Sequence, residues 1–177
     1  MEKTILTQEE IKKTITKLAK AVLKKNADLS ELAVVGIQTR GVFLAKRLLN
    51  EIIRIKKIKT EIPFGFLDIT LYRDDLGQTP DIPTIKDTNL PFDINGKNII
   101  LVDDVLYTGR TIRSALDVLK DYGRPKSIQL AVLIDRGYRE LPIQADFTGL
   151  AYHTKDEVCV EFVEIDKQDM VYLTSSK

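Results

Sequence analysis

The stretch Ile99-Ile100-Leu101-Val102-Asp103-Asp104-Val105-Leu106-Tyr107-Thr108-Gly109-Arg110-Thr111 decides the fold. Asn98 to Val102 is short, apolar and β-branched, as expected of a strand covered on both faces of a parallel sheet. Asp103 to Gly109 reads as its exit loop. Thr111 to Tyr122 has helical spacing and is closed by Gly123, with Pro125 beyond. In open α/β sheets ligands bind past the carboxyl ends of strands, and here that position carries two acids and a hydroxyl-rich turn. The turn suits a phosphate: Gly109 allows close backbone approach, Thr108 and Thr111 donate hydroxyls, Arg110 adds charge, and the first amides of the helix have free N–H groups. Asp103 and Asp104 would repel the same phosphate, so they are expected to face sugar hydroxyls or a divalent cation. There is no GxxxxGK[ST] loop and no GxGxxG after a strand, which removes the main support for nucleotide hydrolysis or dinucleotide binding.

Working outward, Leu32 to Ile37 is a second buried strand, left through Gln38-Thr39-Arg40-Gly41, and Val42 to Ile53 returns to helical spacing. Towards the amino terminus, Thr7 and Glu10 have capping-box spacing, and Ile11, Ile15, Leu18 and Val22 share one face of a helix from about Thr7 to Lys25. Lys12, Lys13, Lys17, Lys20 and Lys24 fall on its other face and read first as a solvated surface, second as a polyanion contact. Phe64 to Leu71 is expected to be a strand. From Tyr72 to Pro91 the pattern lapses into a long loop, and long loops inside compact domains are usually lids or binding loops. Ile128 to Ile134, Val158 to Ile165 and a short Val171 to Leu173 are further strands. The alternation predicts one domain over 1–177: an α/β fold with an open, mostly parallel sheet flanked by helices.

Composition narrows the chemistry. The chain has 177 residues, 44% hydrophobic and 30% charged, with 27 Lys+Arg against 26 Asp+Glu. That balance suits a globular domain and argues against wholesale polyanion binding, so any nucleic-acid site must be a local patch. The single Cys159 and single His153 leave no multi-Cys zinc site and no Ser-His-Asp triad; any metal is held by oxygen. Cys159, in an apolar run, reads as packing, and His153 is assigned no role. No apolar run approaches a membrane span, and the amino terminus is acidic where a signal peptide would be apolar, so the expected compartment is the cytoplasm.

The thirteen-residue stretch also resembles the phosphoribosyl pyrophosphate (PRPP) motif of type I phosphoribosyltransferases. Gly36 to Gly41, Asp68 to Leu76, Gly123-Arg124-Pro125 and Asp135 to Ile143 resemble blocks of one family, the pyrimidine operon regulatory proteins and uracil phosphoribosyltransferases, and the likeness covers nearly the whole chain. It implies a parallel-sheet core with a small hood from the C-terminal segment and a lid at about 72–91. It also implies Mg2+-dependent transfer of phosphoribose from PRPP to uracil, giving UMP and pyrophosphate, with UMP or UTP as effectors, leader mRNA as a further partner, and a homodimer or larger homo-oligomer. DNA and membrane are not expected partners.

Carried over residue by residue, Thr39, Arg40 and Gly41 would hold the pyrophosphate. Asp103, Asp104, Val105, Leu106, Tyr107, Thr108, Gly109, Arg110 and Thr111 would bind PRPP or nucleotide, with Asp103, Asp104, Arg40 and Arg73 catalytic and Mg2+ carried mainly by substrate near the two acids. Asp135 and Arg136 would bind the base, and Lys17, Lys20 and Arg139 the RNA. Tyr138 stands where the family usually has histidine, and Gln144 where arginine is common; both weaken the RNA inference. Two alternatives stay open: an RNA-binding regulator with vestigial transferase activity, and a phosphoribosyltransferase for another base without RNA binding.

Overall fold

The computed structural model describes residues 3–58, 61–72 and 87–174. Five strands, β2 (Leu32–Ile37), β3 (Phe64–Leu67), β4 (Asn98–Leu106), β5 (Ser127–Asp135) and β6 (Phe147–Ala151), form an all-parallel sheet in the order β3-β2-β4-β5-β6. Helices α1 (Gln8–Lys25) and α2 (Arg40–Lys56) cover one face and α3 (Arg110–Tyr122) the other. The period of two along the strands divides the core accordingly. Val34, Ile100, Val102, Ala131 and Leu133 turn to α1 and α2, while Ala33, Val35, Ile99, Leu101, Leu130 and Val132 turn to Ile112, Ala115, Val118 and Leu119 of α3.

A second sheet, antiparallel and three-stranded, joins the two ends of the chain: β1 (Lys3–Leu6), β8 (Met170–Thr174) and β7 (Glu157–Glu161), in the order β1-β8-β7. A short helix, α4 (Val163–Asp166), follows β7. Phe162 is fully buried at that junction, with the Arg47 guanidinium 4.7 Å over its ring. Arg47 also forks onto both oxygens of Glu164 and both of Asp169, at 2.5 to 2.9 Å. Burial opposes the arginine's charge, but the two carboxylates outweigh it and raise its affinity for the proton, so the C-terminal segment is clamped to α2.

Several boundaries move from those expected. The strand at Phe64 ends at Leu67, because Asp68 accepts the Thr70 amide and starts a 3-10 turn over Thr70–Tyr72. The strand at Asn98 does not stop at Val102; it runs through Asp103 and Asp104 to Leu106 by pairing with β5. The run Val158 to Ile165 is a strand followed by α4, with Val163 and Ile165 exposed. Sequence patterning missed β1 and β6: β1 is four residues long, and β6, Phe-Thr-Gly-Leu-Ala, is too mixed to show a period. Of the expected lid, residues 73–86, with Arg73, lie outside the described residues. Its last part is docked: Asn89 and Phe66 exchange both backbone hydrogen bonds at 2.9 Å.

Deleting the Phe162 ring removes the buried apolar body under the Arg47 clamp. Phe162→Ala is expected to cost about 3–5 kcal/mol of unfolding free energy, read from urea denaturation; a loss under about 1 kcal/mol would mean the junction repacks freely.

Candidate active site

The carboxyl ends of the parallel strands come to one edge of the sheet, and what stands there follows from strand length. β4 has nine residues and β2 six, and their pairing ends at Gly36 opposite Val102. Asp103 and Asp104 therefore lie where β4 outruns its neighbour, with β5 still paired on the other side. The turn after β2 fills the space. A Cβ on Gly41 would sit 2.6 Å from Val102 O and 3.2 Å from Asp103 Oδ1, and one on Gly36 would sit 2.6 Å from Val42 Cα. Both glycines are thus required by backbone contact, and they bring Thr39 and Arg40 beside the acid pair. The Gln38–Thr39 peptide is cis.

The acid pair is electrostatically loaded. Burial, and then the charge of Asp104, push the Asp103 carboxyl well above the ordinary carboxylate range. Burial raises Asp104 as well, opposed by hydrogen bonds from Asp103 and from the Val105 amide and by the charge of Arg40. Asp103 Oδ1 accepts the Asp104 amide at 3.0 Å, and Asp104 Oδ1 accepts the Val105 amide at 2.9 Å. Among the described residues no group of three or more His, Cys, Asp or Glu gathers to hold a metal. Two adjacent acids, oxygen donors only, fit a hard cation such as Mg2+ that keeps waters and substrate oxygens in its shell.

Past Leu106 the chain turns through Tyr107, Thr108 and Gly109 into α3. Gly109 has φ +94, a left-handed conformation at the helix N-cap. The first turn of α3 holds Arg110 and Thr111, both exposed, and no acid that would repel an anion at the helix N-terminus; the Arg110 amide donates to Thr108 Oγ1 at 3.3 Å. Arg110 pairs with Glu140 at 2.7 Å.

What holds this turn comes from the next strand. Arg139 donates to the carbonyls of Ile143, Leu106, Tyr107 and Gly137, and forms an ion pair with Asp135 at 2.6 Å. The Glu140 and Leu141 amides bond Thr108 O at 2.9 and 3.1 Å. Arg136 lies 3.8 Å over the Tyr107 ring and donates to the Thr154 and Lys155 carbonyls at 3.2 and 2.7 Å, so it frames the exit from β6. Asp135 and Arg136 thus stand at the same edge as the acid pair, engaged with protein groups.

Two residues expected on an RNA surface are placed otherwise. The Arg139 guanidinium is turned inward and spent on backbone carbonyls, and Lys17, though exposed, ties its ammonium at 2.9 Å to Gly149 O of β6. Lys20 is exposed. Arg73 is not among the described residues. Sequence reading missed Asp166, whose carboxylate takes the Arg40 guanidinium at 2.8 Å from the far end of the chain. Tyr138, at φ +54, is exposed beside a cavity of about 510 Å3 lined by Gly137, Gln144 and His153 among others.

Comparison with known proteins bears on this geometry. The phosphoribosyl transferase domain family matches residues 1–164. The chain is 54% identical over 173 residues to the bifunctional protein PyrR of Endomicrobium trichonymphae, covering 97% of this chain and 98% of the relative. It is 49% identical over 172 residues to the bifunctional protein PyrR of Deinococcus radiodurans, covering 96% and 93%. Among solved structures, a hypoxanthine phosphoribosyltransferase of Trypanosoma cruzi superposes with a TM-score of 0.73 at 17% identity, over 98% of this chain and 97% of that one. One from Staphylococcus aureus gives 0.71 at 22%, over 98% and 92%. At those identities the structures share the fold.

The buried acid makes a prediction with a definite sign. Asp103 binds its proton more tightly folded than unfolded, so the native state holds more protons between the ordinary carboxylate value and the raised one, and stability falls as pH rises through that window. Asp103→Asn removes this penalty: its melting temperature should match the wild type near pH 4 and exceed it by roughly 2–4 °C at pH 7. A variant less stable than wild type at pH 7 would contradict it.

Proposed function

Because this chain belongs to the phosphoribosyl transferase family, we propose that it transfers phosphoribose from PRPP to uracil, yielding UMP and pyrophosphate, and that it also binds pyrimidine leader RNA as a UMP-dependent attenuator. The observation that carries the first half is the meeting, at one sheet edge, of a pair of acids, Asp103 buried and Asp104 half-buried, a glycine-bent turn opening α3 and an arginine-bearing turn pressed onto the acids by Gly41.

Each part has a task in that reaction. The amides of Tyr107 to Thr111 and the hydroxyls of Thr108 and Thr111 take the 5-phosphate. Asp103 and Asp104 accept the ribose hydroxyls, and their raised proton affinity keeps the buried site from carrying two unscreened charges before substrate arrives. Thr39, Arg40 and Gly41 receive the pyrophosphate. The bond from C1 of ribose to pyrophosphate oxygen breaks as the bond to uracil N1 forms, and the N1 proton passes to the departing pyrophosphate or to water. Charge spreads onto the leaving oxygens, where the guanidinium of Arg40 opposes it. Asp103 and Asp104 would hold a Mg2+ ion together with substrate oxygens, and the ion would supply positive charge against the leaving pyrophosphate. Arg136 frames the base side by fixing the Thr154 and Lys155 carbonyls and the Tyr107 ring. In this reading the small antiparallel sheet is the hood of a single domain.

The regulatory half rests on the PyrR relatives and on the lysine-bearing face of α1, of which Lys20 is exposed. Tyr138, exposed on a left-handed turn, adds a ring on which an unstacked base can lie. The chain works in the cytoplasm as a homodimer or larger homo-oligomer, which doubles any basic patch.

Two measurements test this. Pyrophosphate release with PRPP, Mg2+ and each base in turn should be greatest with uracil, and Asp104→Asn should lower turnover by about 100-fold or more at saturating substrate while remaining folded; near-normal turnover rejects the site. Filter binding at physiological salt should show UMP tightening a pyrimidine leader hairpin, with Lys20→Glu weakening it at least about threefold. No response to UMP rejects the regulatory half and leaves a salvage enzyme.

A further inference from the structure

We infer that Asp166 is a positioning residue for pyrophosphate recognition: it reaches from the C-terminal segment to hold the Arg40 guanidinium at the mouth of the site. The inference rests on the reading of the 39–41 turn as the pyrophosphate turn.

Two arginines of α2, seven residues apart and so on one face of the helix, meet the acids around α4 in different ways. Arg47 is saturated, forked onto Glu164 and Asp169 and stacked on buried Phe162. Arg40 makes one hydrogen bond to a carboxylate, from Nη2 to Asp166 Oδ1 at 2.8 Å. Its Nε is buried and is the one buried side-chain polar atom without a partner among the described residues. A buried donor lacking an acceptor is rare in native proteins, and an oxyanion at this turn would supply the acceptor.

Asp166 is equipped to fix that arginine. Its other oxygen accepts the Phe162 amide at 3.0 Å, which locks the carboxylate to the buried junction. Its side chain is 19% exposed, against 39% for Arg40. A long, half-exposed arginine loses rotamer freedom when it grips a ligand; an anchored carboxylate removes that loss beforehand. The ion pair occupies Nη2 and leaves the exposed part of the guanidinium to the ligand. Arg47 therefore fastens the segment, and Arg40 is held ready by it.

The test is a double-mutant cycle on binding and kinetics. Calorimetry with inorganic pyrophosphate and Mg2+ should show Asp166→Ala raising Kd about tenfold, with KM for PRPP rising in parallel and kcat within about twofold of wild type. Arg40→Ala should also weaken binding, and the double variant should bind no more weakly than Arg40→Ala alone, since Asp166 acts through Arg40. Glu164→Gln, which loosens the structural clamp, should lower the melting temperature and leave Kd unchanged. If Asp166→Ala does not fold, Asp166→Asn enters the same cycle, with a smaller expected rise. Unchanged or tighter pyrophosphate binding by the Asp166 variant, or additive losses in the double variant, would overturn the inference. Wild-type protein that binds pyrophosphate but transfers phosphoribose to no base would overturn the transferase reading and leave the Arg40–Asp166 assignment standing.

Discussion

The site depends on a backbone-to-backbone approach that only glycine permits. β4 extends past the last residue of β2 with which it pairs, and the turn after β2 folds into the gap until Gly41 lies against Val102 O and Asp103. Without that contact Arg40 would leave the neighbourhood of the acid pair, and the opposing charge that lowers Asp104 would go with it. A parallel sheet with strands of unequal length thus makes a pocket at its carboxyl edge, and side-chain volume at two positions decides whether that pocket is assembled.

The electrostatic arrangement works against stability. Two adjacent carboxylates stand on a strand, Asp103 buried and Asp104 half-buried, and loss of water around them raises both. Strain of this kind is characteristic of functional sites, and within the chain the charge of Arg40 already opposes it at Asp104. The stabilising ion pairs lie elsewhere: Arg47 with Glu164 and Asp169, and Arg139 with Asp135. Arg139 stabilises the turn by donating to the carbonyls of Leu106 and Tyr107. The carbonyls of Leu106, Tyr107 and Thr108 at this turn are thus satisfied from the loop after β5.

The C-terminal segment links scaffold and site. Phe162 is buried, α4 follows it directly, and its acids meet two arginines one or two turns into α2 and at its start. A segment that packs as a structural junction thus also touches Arg40, whose charge acts on the acid pair.

From the sequence alone, the amphipathic period of α1, the buried strands at Leu32 and Asn98, and the Asp103 to Thr111 stretch could be read, because each is a local pattern whose meaning survives without its neighbours. The fold class and the anion-receptive turn followed from these. Where Asp103 and Asp104 stop being loop and become strand was settled by pairing with β5, since ladder hydrogen bonds come from a partner 29 residues away, as between Asp103 and Val132. Likewise the inward turn of Arg139, the bond from Lys17 to Gly149 O, the framing by Arg136 and the hold of Asp166 on Arg40 were decided only by tertiary structure. A long cation's partner is set by which carbonyls and carboxylates folding brings within 3 Å or so of it, and no spacing in the chain encodes a contact between residues 126 positions apart.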